Sequence, residues 1–528
     1  MLAATCLSLA SLAAPPAVTI SFDAATRAEP ATGRLVLYLI ADSARMGADP
    51  ADAPFFDNPQ PMFGIDVTAL PPGASATIDD TATSFPVRWS ALPPGRYKAQ
   101  AVLDLHRENS SWKREPGNLW SETVAFEVTA KDAPPPVAIK LTRVVGPQRV
   151  PEPHIAEVFE VRSALLSDFH GRDVTLRAGV LLPTSYNDAA NAARTYAAVY
   201  EVPGFGGDHT GIHPFHPFRA RLPAGSPWLP MRENAFWIVL DPESANGHTL
   251  FADSANNGPC GRALVEELIP AIEKKYRLTP DPKARLLRGH SSGGWSTLWL
   301  AVTYPETFGA CWSSSPDPVD FRRMQLCNIY DEGMYLLPPQ VGYSTIEQVV
   351  EYERLRERGG APSYRSNGTF KMTVREENLM EEVIGPDNTS GQQWDSWFAV
   401  WGPRNERGNP AALFDPVTGL IDKAIAEKYR AYDIADLVRR DAGRVALLFQ
   451  ERIRLVVGDQ DNYYLNEAVA MLKAEVEKVN FLHLPEGGHG RITIVPGRDH
   501  GTIFGVPEIQ NIPAEMVDHL QRAGFIRK

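Results

Sequence analysis

From about residue 17 to 130 apolar and polar positions alternate in short runs, Arg34-Leu35-Val36-Leu37-Tyr38-Leu39-Ile40 and Tyr97-Lys98-Ala99-Gln100-Ala101-Val102-Leu103-Asp104 among them. A period of two sends successive side chains to opposite faces, so these runs predict strands. Pro and Gly turns separate them, as at Leu70-Pro71-Pro72-Gly73 and Leu92-Pro93-Pro94-Gly95, and few stretches have helical periodicity. The expectation is an all-β sandwich domain over 16–132. Ala133-Pro134-Pro135-Pro136 then opens a stiff linker over 133–154.

Beyond the linker the pattern changes. Val158 to Ser167 and Val174 to Pro183 predict a leading pair of strands, followed by buried strands at Tyr196 to Val202 and Phe236 to Leu240. Between Gly261 and Tyr276, apolar residues at Leu264, Val265, Leu268, Ile269 and Ile272 mark one face of a helix. Ala310-Cys311-Trp312-Ser313-Ser314 and Ile453-Arg454-Leu455-Val456-Val457 continue the strand series. Strands alternating with helices predict an α/β domain over 155–528, with a doubly wound, mostly parallel sheet covered on both sides. The stretch from about Gln325 to Asp441 interrupts that series and is too long for a plain loop, so it is expected to be an inserted helical cap. Within it Trp394, Trp397, Phe398 and Trp401 form an aromatic cluster. Packing of the cap onto the body explains the cluster better than a pocket wall does, because aromatics chiefly supply buried area.

A formal net charge of −12 argues against nucleic acid or an anionic membrane as partner, since both select a positive surface. No segment reaches the roughly 18 apolar residues of a bilayer span. Residues 1–15 are apolar, uncharged and end in small residues before Pro15-Pro16. They resemble an export signal lacking its positive start, which implies a secreted or periplasmic protein. Without that segment three cysteines remain, Cys260, Cys311 and Cys327, too few for a disulfide framework. Cys311 lies in an apolar run, so Cys260 with Cys327 is the pair to test. No Cys/His cluster has zinc spacing, and neither metal nor cofactor is expected.

The chemistry concentrates in Gly289-His290-Ser291-Ser292-Gly293-Gly294. A strand-forming stretch, Ala284 to Arg288, precedes it and a helix-forming one, Trp295 to Ala301, follows, which is the setting of a nucleophile elbow with Ser291 as nucleophile. Serine needs a base to take its proton and an acid to orient that base, and after such an elbow they follow in the order acid, then histidine. Gly458-Asp459-Gln460-Asp461-Asn462 follows a strand; Asp461, farther past the strand end, is preferred as the acid and Asp459 as a turn residue. Asp317 is an outside candidate. Two histidines compete for the base. Ile492-Thr493-Ile494-Val495 is the better last strand and delivers His500, whereas His489 lies in a glycine-rich connection that would become functional only if the last strand were Val479 to Leu484. His290 is expected to pack beside the elbow. The oxyanion that forms on attack needs backbone N–H donors, expected from Ser292 and, in Pro203-Gly204-Phe205-Gly206-Gly207, from Phe205. His209, His213 and His216 are closely spaced but lack an ordered acidic cluster to support a metal.

Taken together, Ser291 in G-H-S-S-G-G, the Gly-Phe-Gly-Gly loop, the Glu266 to Glu273 helix and the late Asp499-His500-Gly501 resemble the esterase family of α/β-hydrolases that includes esterase D and enterochelin esterases. The resemblance covers roughly 155–325 and 445–510. It implies a serine carboxylesterase whose substrates are small-molecule or polysaccharide-linked acyl esters, siderophore esters included. Enterochelin esterases are similar also in carrying a β-sandwich ahead of the hydrolase domain. The long insert and a loop without a His-Gly start depart from the family. A serine peptidase of prolyl oligopeptidase type is the competing enzyme reading, although no blade-length repeat occurs in the N-terminal region. An inert hydrolase fold serving as a surface- or carbohydrate-binding protein is the non-enzymatic one.

Overall fold

The computed structural model describes residues 16–106, 108–129, 136–147, 156–212, 216, 217, 221–331, 333, 335, 350, 353, 354, 358, 360–479 and 489–526. The expected export signal, residues 133–135 and 148–154 of the expected linker, His213 and most of the alternative strand from Val479 to Leu484 lie outside them; the middle of that linker is instead the strand Val137–Val144, because its alternating apolar residues pair with Val18–Phe22 and Leu119–Ser121. The chain divides into two compact units.

In the first unit the alternating runs form strands, and their hydrogen bonds join them in one nine-stranded sheet. Its order is Ser75–Ile78, Val18–Phe22, Val137–Val144, Leu119–Ser121, Gly95–Asp104, Ala31–Ala41, Met62–Leu70 and Thr83–Phe85, with Val124–Val128 also paired to Gly95–Asp104. Ile20, Leu37, Phe63, Ala99, Phe126 and Ile139, drawn from both arms of the sheet, bury themselves in a single core. The unit is discontinuous, because Glu376–Pro386, from the middle of the predicted cap, belongs to it. Those residues hold most of the helix Val374–Ile384. Buried Arg34 donates to the carbonyls of Val383 (3.0 Å) and Glu382 (3.3 Å) and pairs with Asp66 at 3.2 Å. A cation thus caps the end of the helix where carbonyls lack intrahelical partners and the dipole is negative.

The second unit is built on an eight-stranded sheet in the order Ala156–Ser163, Val174–Leu181, Ala235–Leu240, Ala197–Val202, Arg285–His290, Ala310–Ser314, Ile453–Gly458 and Arg491–Val495. Val174–Leu181 is antiparallel to both of its neighbours and every later pairing is parallel. Alternate residues face two separate cores. Ala198, Tyr200 and Leu287 pack with the helices Ser292–Thr303, Ile434–Arg440, Ala442–Glu451 and Leu465–Glu477, while Val199, Trp237 and Leu286 pack with Trp228–Asn234 and Ile512–Arg522.

Three local readings change. The predicted strand over 158–167 stops at Ser163, whose hydroxyl accepts from the Leu166 amide and starts the helix Ala164–His170. The predicted helix at 261–276 holds a π-helical turn at Leu264–Leu268 just before Pro270, a residue that has no N–H to give and crowds the carbonyl four residues back. The insert is not helical throughout. It carries a β-hairpin, Pro362–Ser366 with Thr369–Thr373, and its helices Gln393–Trp401, Lys423–Tyr429 and Ile434–Arg440 share the core of the sheet. Arg322 and Arg439 hold this return to the body, meeting buried Asp320 and Asp433 together with Glu475 of the helix Leu465–Glu477.

Candidate active site

Parallel strands point their C-terminal ends the same way, so the loops that follow them collect at one edge of the sheet. Ser291 follows Arg285–His290 at that edge and stands at φ 60°, ψ −128° before the helix Ser292–Thr303. Such a backbone costs a non-glycine residue roughly 1–3 kcal/mol and persists only where its surroundings enforce it. Close approach of the chain does so here. A Cβ on Gly289 would lie 2.1 Å from the Gly293 carbonyl oxygen, and one on Gly293 would lie 2.0 Å from that of Val202.

The Val202 strand leads into the Pro203–Gly207 loop, where a Cβ on Gly204 would sit 3.3 Å from Cβ of Ser291. Gly207 N–H closes the loop onto the Gly204 carbonyl at 2.9 Å. Among the described residues neither the Ser292 nor the Phe205 amide donates a hydrogen bond, so both remain available beside the serine. His248, fully buried, fixes the loop from behind. Its Nδ1 accepts from the Leu250 amide at 3.0 Å, so Nε2 carries the proton and donates to the Pro203 carbonyl at 3.0 Å. Burial pushes this imidazole down to about 4, which keeps it neutral and keeps both bonds in place.

On the other flank Asp461 follows Ile453–Gly458 and His500 follows Arg491–Val495. His500 Nδ1 lies 2.7 Å from Asp461 Oδ2, and the carboxylate is fully buried. Because a carboxylate only accepts, Nδ1 carries the proton and Nε2 keeps its lone pair. Burial alone would lower the His500 pKa, but the charge and hydrogen bond of Asp461 outweigh it and leave the imidazole above its ordinary value. The His290 ring lies 4.5 Å from that of His500, and burial, followed by the His500 and Arg288 charges, holds it well below the ordinary value. Asp459 is the turn brace that its position suggested, accepting from the Gly497 amide at 2.7 Å.

Other sequence candidates go elsewhere. His489 sits at the start of Arg491–Val495, where its amide bonds the Glu451 carbonyl. A parallel strand therefore carries it to the opposite end of the sheet from His500. Asp317, 2 % exposed, is not hydrogen-bonded to a histidine among the described residues. It accepts from Ser292 Oγ and Trp397 Nε1, both at 2.8 Å. Burial pushes its carboxyl up to about 6 against the pull of those two bonds. His209 pairs with Asp241 and His216 with Glu201, and His213 is outside the described residues. Among the described residues no group of three or more His, Cys, Asp or Glu could hold a metal ion. Nor does any disulfide form there: Cys260, Cys311 and Cys327 are separate buried thiols. Trp394, Trp397, Phe398 and Trp401 are all at most 2 % exposed, and Trp401 packs on Trp295 of the elbow helix at 5.5 Å. They are core, not a pocket wall.

Residues 255–500 match the family model described as "Putative esterase". Over that span the chain is similar to the esterase family. It is a carboxylic ester hydrolase. No curated protein matches its sequence. Solved structures similar to the esterase include an S-formylglutathione hydrolase from Agrobacterium tumefaciens, 14 % identical over 70 % of this chain and 95 % of that one, with a TM-score of 0.39. Another from Staphylococcus aureus is 13 % identical over 69 % and 99 %, with a TM-score of 0.35. A ferulic acid esterase from Anaeromyces mucronatus is 11 % identical over 69 % and 93 %, with a TM-score of 0.29. Among the described residues of the esterase no helix is long and apolar enough to cross a membrane.

Sequence reading missed three residues at this edge: His248, Asn462 and Arg365. None carries a local signal, since each acts on a loop brought to it by the fold.

Proposed function

We propose that this esterase is a serine carboxylesterase working through an acyl-enzyme, with Ser291 as nucleophile, His500 as base and Asp461 as the group that orients the base. The observation that carries the reading is the 2.7 Å Asp461–His500 hydrogen bond at the same sheet edge as the strained serine. Asp461 accepts the hydrogen bond from the Nδ1–H of His500 and so leaves the Nε2 lone pair free for the proton of Ser291. As Oγ attacks the ester carbonyl, the imidazolium that forms is stabilised by a carboxylate held out of water. The carbonyl oxygen turns into an oxyanion and takes the idle amides of Ser292 and Phe205. His500 then gives its proton to the departing alcohol. Water, deprotonated by the same Nε2, attacks the acyl-enzyme and releases the acid.

The substrate class we propose is acyl esters on small alcohols, siderophores or polysaccharides, with the insert over 325–441 covering part of the site. The test is an assay of short p-nitrophenyl esters beside a panel of peptide amides. Ester turnover that disappears in Ser291→Ala supports the reading. Preferential amide cleavage would turn it to a peptidase, and no turnover of either to an inert binding protein.

A further inference from the structure

The insert reaches the site through its hairpin. Arg365, on the strand Pro362–Ser366, exchanges two bonds with Asn462: its amide donates to the Asn462 carbonyl at 2.8 Å, and Asn462 Nδ2 donates to its carbonyl at 2.8 Å. The guanidinium then fans over the turn that carries the acid. Nε donates to the main-chain carbonyl of Asp461 at 2.9 Å, and Nη2 to the carbonyl of Asp459 at 3.1 Å and to Asn466 Oδ1 at 3.3 Å. Its plane lies 4.7 Å from the ring of Tyr464, a bulky residue held at φ 60°. Asn462 completes the link by accepting from the His500 amide at 3.0 Å through Oδ1.

The start of this turn is also held by main-chain bonds, from the Asp459 amide to the Val495 carbonyl at 3.0 Å and from the Gln460 amide to the Arg498 carbonyl at 2.9 Å, and the Tyr464 amide shares the Asp461 carbonyl at 3.2 Å. Among the described residues Arg365 alone joins the carbonyls of Asp459 and Asp461 through one side chain, and a positive φ at an aromatic residue is a conformation the backbone leaves unless something fixes it. A planar fork of five donors satisfies several diverging acceptors from one side chain, which an ammonium on a flexible stem does not do. Holding the carbonyl of Asp461 holds its Cα, and with it the direction in which its carboxylate meets His500. The guanidinium already has three acceptors, so it is ill placed to serve as an anion receptor for substrate.

We propose that Arg365 is a positioning residue, locking the acid turn so that Asp461 and His500 stay in register, and that the insert is thereby part of the catalytic apparatus and not only a cover. The proposal rests on the triad reading above.

The experiment measures p-nitrophenyl acetate hydrolysis by the full-length protein across pH for wild type, Arg365→Met and Arg365→Lys, with Ser291→Ala, Asp461→Asn and His500→Ala beside them. The charged groups facing His500 are Asp461, Asp317 and Asp499, with the neutral His290 ring against it. A loosened Asp461 leaves burial to dominate, so the acid limb of kcat/KM moves to lower pH. Arg365→Met is expected to lose about 10²-fold in kcat, the scale of a misplacement of about 1 Å, with KM within about twofold and the acid limb shifted down. Arg365→Lys recovers part of both. Wild-type kcat and acid limb in Arg365→Met, while Ser291→Ala and His500→Ala are inactive, overturn the inference and leave the triad standing. Full activity in His500→Ala or Asp461→Asn overturns the triad itself and this inference with it. If Arg365→Met does not fold, Arg365→Lys decides by the same two readouts, a fall in kcat with a lowered acid limb supporting the proposal and wild-type values overturning it.

Discussion

At the scale of single residues, the site sets groups whose chemistry depends on their surroundings beside others whose surroundings silence them. Ser291→Ala is expected to remove ester turnover by about 10⁴- to 10⁶-fold with an unchanged melting temperature, since the strained turn is enforced by the chain around it and not by the hydroxyl. His500→Ala should match it and His489→Ala should leave kcat within about twofold. Steady-state kinetics on the three purified proteins checks the ranking. Asp317 offers a separate test. Its folded carboxyl is raised to about 6 from 3.8, so the folded form binds a proton more tightly than the unfolded chain does. Its ionised form therefore subtracts stability above pH 6, and that penalty fades as pH falls from 6 toward 4. Asp317→Asn, which resembles the neutral acid and still offers an oxygen to Ser292 and Trp397, is expected to gain roughly 1–3 kcal/mol at pH 7 and about nothing at pH 4. Thermal unfolding at both values measures this, and a variant destabilised at pH 7 would mean the two charge-assisted bonds outweigh burial.

At the scale of elements, the helix Val374–Ile384 shows how much one cap contributes. Arg34 to Met removes a buried cation from the carbonyls of Val383 and Glu382 and leaves them unpaired, a loss of about 2–3 kcal/mol by the usual cost of orphaned buried groups. Hydrogen exchange should rise within residues 376–386 first, while the Arg285–His290 strand stays protected; uniform exchange across the chain would show that the cap acts globally instead. Element type was legible where periodicity was strong and long. It failed where one side chain decided the matter: the Ser163 hydroxyl that turned a strand into a helix, and Pro270 that forced a wider turn. The choice of His500 followed from recognising Ile492 to Val495 as a strand, because in a parallel sheet the direction of a strand decides which histidine reaches the edge of the serine.

At the scale of the whole molecule, the chain leaves the hydrolase unit at Arg375 and returns at Asp387, having lent Glu376–Pro386 to the β unit. Deleting residues 1–147 should therefore expose the half-buried and buried side of that segment, which includes Glu377 and Met380. The truncated protein is expected to be cut by protease first within 376–386 and to melt lower than the full chain; resistance there with an unchanged melting temperature would show that the β unit is dispensable. The sequence by itself determined what is local: the alternation that makes strands, the small residues that let a serine sit between strand and helix, and the order of serine, acid and histidine along the chain. Tertiary structure decided which groups meet. Arg365 and Asp461 are 96 positions apart, and His248 acts on a carbonyl 45 positions away. No period or motif encodes such pairs, because a side chain's partners are set by which loops the sheet gathers at its edge. The same holds for burial, which silences His290 and His248 and raises Asp317: it belongs to the packed environment and not to the residue.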